Sequence, residues 1–231
     1  MSTLNRNWRT AFWLPWLQIV RLRGGTARAM SYRRSTPMVP FAPPPMTQPR
    51  AGRLFLGVPL SDPLRDGLGE HLRRALSGGV PGRAVVPASW HLTLRFLGDT
   101  GADQHRRLVE ALERAPLGPR FSMVLGGLGA FPRPRRAGVL WVGVDEGAAE
   151  LKRVAALAED AARHAGFPAE KKPFSPHLTI ARLDPPRDVE AAVAAAPPFG
   201  GRMEVDGVVL FRSHLGSGPP RYEALQRFAL R

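Results

Sequence analysis

Two tripeptides hold the residues of this chain best equipped for chemistry near neutral pH: His91-Leu92-Thr93 and His177-Leu178-Thr179. An imidazole titrates close to neutrality, so of two in one site one can accept a proton while the other gives one up. In a strand, a hydroxyl two residues beyond an imidazole shares its face, where it can donate a hydrogen bond to a phosphoryl oxygen. Such a set suits phosphodiester cleavage. One ring deprotonates the attacking oxygen, the other protonates the leaving oxygen, and fixed donors meet the charge that builds on phosphorus. Metal catalysis fits poorly, because neither motif has an Asp or Glu beside it and two histidines alone make a thin site. The chain also lacks the G-x-S-x-G of a common serine nucleophile.

The motifs belong to longer units that match at a fixed offset of 86 positions. Ser89 matches Ser175, Leu94 matches Ile180, and Leu97 matches Leu183. Leu56-Gly57-Val58 precedes His91 by the count at which Val142-Gly143-Val144 precedes His177. Self-similarity over one long period indicates an internal duplication. If the halves meet about a pseudo-twofold axis, the two His-x-Thr faces oppose each other across a groove, with the intervening leucines and Ile180 in the core. A lone strand histidine is more often structural, so His71, His105, His164 and His214 are assigned no chemistry.

The elements that must position the motifs follow from periodicity and breakers. Leu54–Val58 reads as a buried strand. Asp62 and Pro63 open a helix with Leu64, Leu68, Leu72 and Leu76 on one stripe. Arg83–Pro87 is extended, and Trp90–Leu97 is the first motif strand. A helix over Ala102–Arg114, a strand over Phe121–Leu128, a basic loop over Phe131–Arg136 and a strand from Val139 to Val144 follow. A helix spans Gly147–Ala165. The second motif strand, His177–Ala181, is stopped by Pro185-Pro186. An Ala-rich helix to about Ala196 and strands over Val205–Phe211 and Tyr222–Leu230 complete the chain. The fold class is α+β: two pseudo-symmetric lobes of mostly antiparallel sheet with outer helices, facing across a central cleft. The domain covers 51–231, with the internal repeat at about 53–99 and 139–185.

Composition bounds the rest. Among 231 residues there is no cysteine, which excludes disulfides and thiolate metal sites, and no apolar run approaches the ~20 residues of a membrane span. Net charge is +14, and residues 1–50 contribute eight Arg without Lys or acid. Seven prolines fall there and no period persists, so 1–50 is expected to be a disordered, basic, Pro-rich extension. Its apolar patch, Phe12–Leu17, fits a signal peptide poorly, and Met30, Met38 and Met46 offer later starts. The mildly basic remainder suits a polyanion such as RNA. Arg95 shares the face of His91 in a regular strand; Arg182 shares that of His177 only if its strand bends. Either can hold phosphate through a bidentate contact. Arg133, Arg135, Arg136, Lys171 and Lys172 lie on loops, as solvated charge or as an extended basic track.

On these residues the chain resembles the 2H phosphoesterase superfamily. H-L-T-L-R-F-L-G-D, the opening R-L-F-L-G-V and the ending F-R-S-H-L-G…R-Y-E-A-L are most similar to its RNA 2′,3′-cyclic phosphodiesterase (2′-5′ RNA ligase-like) branch, from about Arg53 to Arg231. The resemblance implies hydrolysis of an RNA 2′,3′-cyclic phosphate to a 2′-phosphomonoester, with neither metal nor cofactor. It implies His91 as proton donor to the departing 3′-oxygen and His177 as the acceptor that activates water. Thr93 and Thr179 would bind phosphate, and Arg182 and Tyr222 would contact substrate. The expected partner is an RNA end, tRNA fragments among the candidates. A cytoplasmic monomer with no membrane association is expected. Ligation of RNA halves through a 2′-5′ bond, and RNA-end binding without catalysis, are the alternatives.

Overall fold

The computed structural model describes residues 50–76, 78–214, 216 and 220–231; the extension expected over 1–50 lies outside them apart from Arg50. Among the described residues nine strands form one sheet: β1 (Arg50–Pro59), β2 (Arg83–Ala84), β3 (His91–Gly101), β4 (Phe121–Arg133), β5 (Arg136–Glu146), β6 (His177–Arg187), β7 (Arg202–Val205), β8 (Gly207–His214) and β9 (Arg221–Ala229). Eight follow the order β7-β4-β5-β6-β3-β1-β8-β9, and β2 pairs separately with β6. Every pairing is antiparallel. Among the described residues four α-helices accompany the sheet: α1 (Asp62–Ala75), α2 (Ala102–Arg114), α3 (Ala148–His164) and α4 (Glu190–Ala195).

The two halves of the sheet meet at a single bridge, Leu92 opposite Leu178. The motif leucines thus join the motif strands to each other, and both are fully buried. They enter one core with Leu56, Val142, Leu140 and Ile180 from the strands and Leu68, Leu108 and Leu151 from α1, α2 and α3. Leu64, Leu68 and Leu72 of α1 are buried at helical spacing, as the stripe predicts. In α3 the buried face is largely alanine, which brings the helix close to the sheet.

The offset of 86 recurs in the elements: β3 and β6 start and end at equivalent residues. The halves are also interleaved. β4, from the first half of the chain, pairs with β5, and β8, from the second, pairs with β1.

Two expectations need correction. Phe131–Arg136 is not a loop: β4 runs to Arg133, a turn occupies 134–135, and β5 starts at Arg136. Nor do Pro185-Pro186 end the second motif strand, for β6 runs to Arg187. Its pairing with β5 jumps from Val139↔Arg182 to Ala137↔Arg187. The prolines fall in the resulting bulge, where no ladder N–H is required of them.

Gly57 and Gly143 occupy equivalent places beside the motifs: Gly57 pairs with Thr93, and Gly143 with His177. A Cβ on Gly57 would lie 2.9 Å from the Leu92 carbonyl oxygen and 3.3 Å from His91 Cδ2. On Gly143 it would meet nothing nearer than 3.4 Å. Gly57→Ala must therefore displace β3, and a loss of about 1–3 kcal/mol is expected, together with a fall in activity. Gly143→Ala should be milder in both. Thermal melts and kinetics on the two variants check this, and equal effects would contradict it.

Candidate active site

Strand alternation places His91 and Thr93, and His177 and Thr179, half-exposed on the face opposite the buried Leu92 and Leu178. With Leu92 opposite Leu178 in an antiparallel pair, one step either way sets His91 toward Thr179 and His177 toward Thr93. The structure thus brings all four motif residues to the middle of the sheet.

Both rings are oriented alike. His91 Nδ1 lies 2.8 Å from the Ser89 carbonyl oxygen and His177 Nδ1 2.7 Å from that of Ser175. A carbonyl only accepts, so each Nδ1 carries the hydrogen and donates it, leaving Nε2 as the atom free to act. The matched serines Ser89 and Ser175 serve through their backbone. At His91, Nε2 lies 3.0 Å from Thr93 Oγ1; in the neutral ring the hydroxyl donates to it. No such bond joins His177 to Thr179 among the described residues.

Aromatic rings wall each imidazole. His91 packs against Phe55 at 4.7 Å between centroids and edge-on against Tyr222 at 5.0 Å. Phe211 stacks on Phe55 at 5.0 Å and lies 6.0 Å from His91. His177 meets Phe131 edge-on at 5.0 Å and Trp141 at 6.3 Å. Phe55 and Trp141 are equivalent under the offset of 86. Burial, and secondarily the positive charge of Arg182, hold the His91 pKa below the ordinary imidazole value, against the Ser89 hydrogen bond that raises it. Arg182 is thus close enough to act on His91, although it follows the other motif.

A bulge reverses the two arginine expectations. In β3 the register with β1 slips between Leu56↔Arg95 and Gly57↔Thr93, so Leu94 and Arg95 both turn into the core. Arg95 is 8% exposed. Its guanidinium is held by Glu159 of α3 and by the carbonyl oxygens of Phe96 and Pro168, so Arg95 is excluded from the site. In β6 the same slip between Leu140↔Ala181 and Trp141↔Thr179 buries Ile180 and Ala181 and returns Arg182, exposed, to the imidazole face. Tyr222 joins the site beside His91; His214 does not, being bonded to Glu223 at 2.8 Å.

Sequence reasoning passed over Phe96. It occupies in β3 the place that Arg182 holds in β6, is 60% exposed, and lies 6.2 Å from Phe55. The repeat register was the signal that marks it. Lys171 and Lys172 are exposed on the loop before β6. Among the described residues no cluster of three or more His, Cys, Asp or Glu has metal-binding spacing, and no helix is long and apolar enough to cross a membrane.

Residues 61–217 match the family model described as the 2′-5′ RNA ligase superfamily. A protein of Aeropyrum pernix named RNA 2′,3′-cyclic phosphodiesterase is 38% identical over 151 residues, covering 64% of this chain and 85% of that protein. One of the same name from Escherichia coli is 31% identical over 186 residues, covering 80% and 99%. Among solved structures, E. coli LigT complexed with 3′-AMP superposes with a TM-score of 0.64 at 30% identity, covering 78% of this chain and 98% of that one.

Two variants separate the arginines. Arg182→Gln removes a positive charge near His91, so the His91 titration followed by NMR should move up toward the ordinary value of about 6.5; an unmoved or lowered titration would contradict the placement. Arg95→Gln should lower stability by about 2 kcal/mol through lost charged hydrogen bonds, while kcat/KM of the folded enzyme stays within a few-fold of wild type.

Proposed function

The chain belongs to the 2′-5′ RNA ligase superfamily, and from that premise we propose that it is an RNA 2′,3′-cyclic phosphodiesterase that opens the cyclic phosphate to a 2′-phosphomonoester with its two motif histidines as acid and base, without a metal ion. The observation that carries this is the pairing of two His-x-Thr faces about Leu92↔Leu178, with each Nδ1 tied to a carbonyl and each Nε2 left to act.

In the proposed cycle the cyclic phosphate lies between the two Nε2 atoms. Neutral His177 takes a proton from water as the water oxygen attacks phosphorus. The bond from phosphorus to the 3′-oxygen breaks, and that oxygen takes a proton from His91, leaving the phosphate on the 2′-oxygen. His177 ends charged and His91 neutral, and proton exchange with solvent restores both. Thr93 and Thr179 donate to the non-bridging oxygens as charge grows there. Thr93 must for this turn its hydroxyl from His91 Nε2 to the phosphate.

In the free protein, burial and Arg182 work against the charged form that a proton donor needs. An anionic phosphodiester between His91 and Arg182 opposes that effect and favours the imidazolium. Substrate entry thereby supplies the proton donor in the state it must have. Arg182 clamps the phosphate, and Phe96 and Tyr222 offer the wall on which the terminal base rests. The donor set at the motifs is two imidazoles and two hydroxyls, which suits proton transfer better than metal ligation.

His91→Ala and His177→Ala are each expected to lower kcat on an oligonucleotide 2′,3′-cyclic phosphate by about 10²–10⁴-fold, with folding retained and wild-type activity unchanged in excess EDTA. Product analysis should show a 2′-phosphate. Adding RNA with a 5′-hydroxyl to the same assay tests for a joined product. Near-full activity in either variant, or loss of wild-type activity with EDTA, would overturn the assignment.

A further inference from the structure

Past its aromatic wall, the imidazole face of the first half carries a polar patch that the proposed chemistry leaves unused. Alternation along β1 sets Leu54, Leu56 and Val58 in the core, so Arg53, Phe55 and Gly57 take the other face. Each of these three stands opposite a β3 residue of the same face: Gly57 opposite Thr93, Phe55 opposite Phe96 and Arg53 opposite Asp99. Phe96 and Asp99 are three apart, and regular alternation would separate them. The register slips between Leu54↔Gly98 and Phe55↔Phe96, which leaves Leu97 without a partner in β1, and Gly98 has a φ of +73°. This second bulge in β3 returns Asp99 to the face of Phe96. On the other side of β1, Arg53 stands opposite Ser213, and Ser213 opposite Tyr222.

Arg53 and Asp99 are both exposed. Opposite charges directly opposed on paired strands attract each other, yet neither side chain has an ion-pair or side-chain hydrogen-bond partner among the described residues. Their donors and acceptors are open to a ligand. At the offset of 86 the second half has Val139 and Pro185, neither with a polar side chain, so the patch belongs to the side of Phe96 and Tyr222 alone. Arg53 lies two residues beyond Phe55, roughly 7 Å along the strand. A base resting between Phe96 and Tyr222 therefore turns its edge to Arg53 and Asp99.

We propose that Arg53 and Asp99, with Ser213 beside them, read the terminal base and select guanine. The inference rests on the activity proposed above and adds the identity of the terminal nucleotide. Guanine presents two neighbouring donors, N1–H and the N2 amino group, to a carboxylate, and the acceptors O6 and N7 to a guanidinium. Adenine reverses the match. Its N1 accepts where Asp99 also accepts, and its N6 amino group donates where Arg53 also donates. A pyrimidine offers the carboxylate one donor nitrogen instead of two and is shorter by a ring.

The test measures kcat/KM for the four nucleoside 2′,3′-cyclic phosphates on the wild type, Asp99→Asn and Arg53→Met, with thermal melts to establish that the variants fold. The wild type should favour guanosine over adenosine by about tenfold, the scale of one bidentate base contact. Asp99→Asn replaces two acceptors with one acceptor and one donor, which complements the N6 amino group and N1 of adenine. The guanosine-to-adenosine ratio should then fall by about tenfold or more, through a loss on guanosine and a gain on adenosine. Arg53→Met should lower the ratio by about tenfold through guanosine alone. No wild-type preference for guanosine, a ratio unchanged in either variant, or equal losses on all four substrates would each overturn the proposal. Calorimetric binding of guanosine 2′-phosphate and adenosine 2′-phosphate separates this inference from the hydrolase. Tighter binding of the guanosine compound, lost in Asp99→Asn, without turnover of any cyclic phosphate would leave the base reading standing and refute the hydrolase. Equal affinities would refute the base reading whatever the hydrolysis shows.

Discussion

Everything at the centre of this sheet depends on one backbone bridge, Leu92 to Leu178. The two residues are equivalent in the repeat, so the bridge lies on the pseudo-twofold relation between the halves. Because both leucines are fully buried, each motif strand is locked in register with its alternate residues facing away from the core. A slip of one residue on either strand would bury a histidine and expose a leucine. Hydrophobic burial on one face therefore sets the arrangement of polar groups on the other, and Gly57 leaves the His91 ring room to lie against the sheet.

Equivalent positions have diverged in ways that give the two imidazoles different surroundings. His91 sits among Phe55, Tyr222 and its own Thr93, and its charge is disfavoured by burial and by Arg182. His177 has Phe131 and Trp141. Where β6 presents Arg182, β3 presents Phe96; where β3 buries Arg95 against Glu159, β6 buries Ala181. Two copies of one pattern thus present an exposed phenyl ring, Phe96, on one motif strand and an exposed guanidinium, Arg182, at the equivalent place on the other.

Much of this was legible in the amino-acid sequence because its signals are strong and local. The paired His-x-Thr motifs, the leucine stripe of α1 and the alanine-rich face of α3 each carry a period that tertiary contacts did not override. The bulge was not legible. H-L-T-L-R-F reads as unbroken alternation, yet Leu94 and Arg95 both turn inward, and that slip exchanged the places expected for Arg95 and Arg182. Nothing in the spacing marks the extra residue, because the buried arginine is compensated by Glu159, 64 positions away. Pro185-Pro186 misled for a related reason: a breaker stops a regular ladder, whereas β6 passes it in a bulge. The interleaving of β4 and β8 between halves is a matter of long-range pairing, to which local pattern is blind.

The central claim is that the two imidazoles flank a single phosphorus, and a crystal structure of the protein with an RNA dinucleotide ending in a 2′-phosphate tests it most directly. His91 Nε2 and His177 Nε2 should lie on opposite sides of that phosphate, each within hydrogen-bond reach, about 2.6–3.2 Å, of an oxygen bonded to the same phosphorus or of the freed 3′-hydroxyl. A phosphate held by one imidazole alone, with the other turned to solvent, would contradict the account.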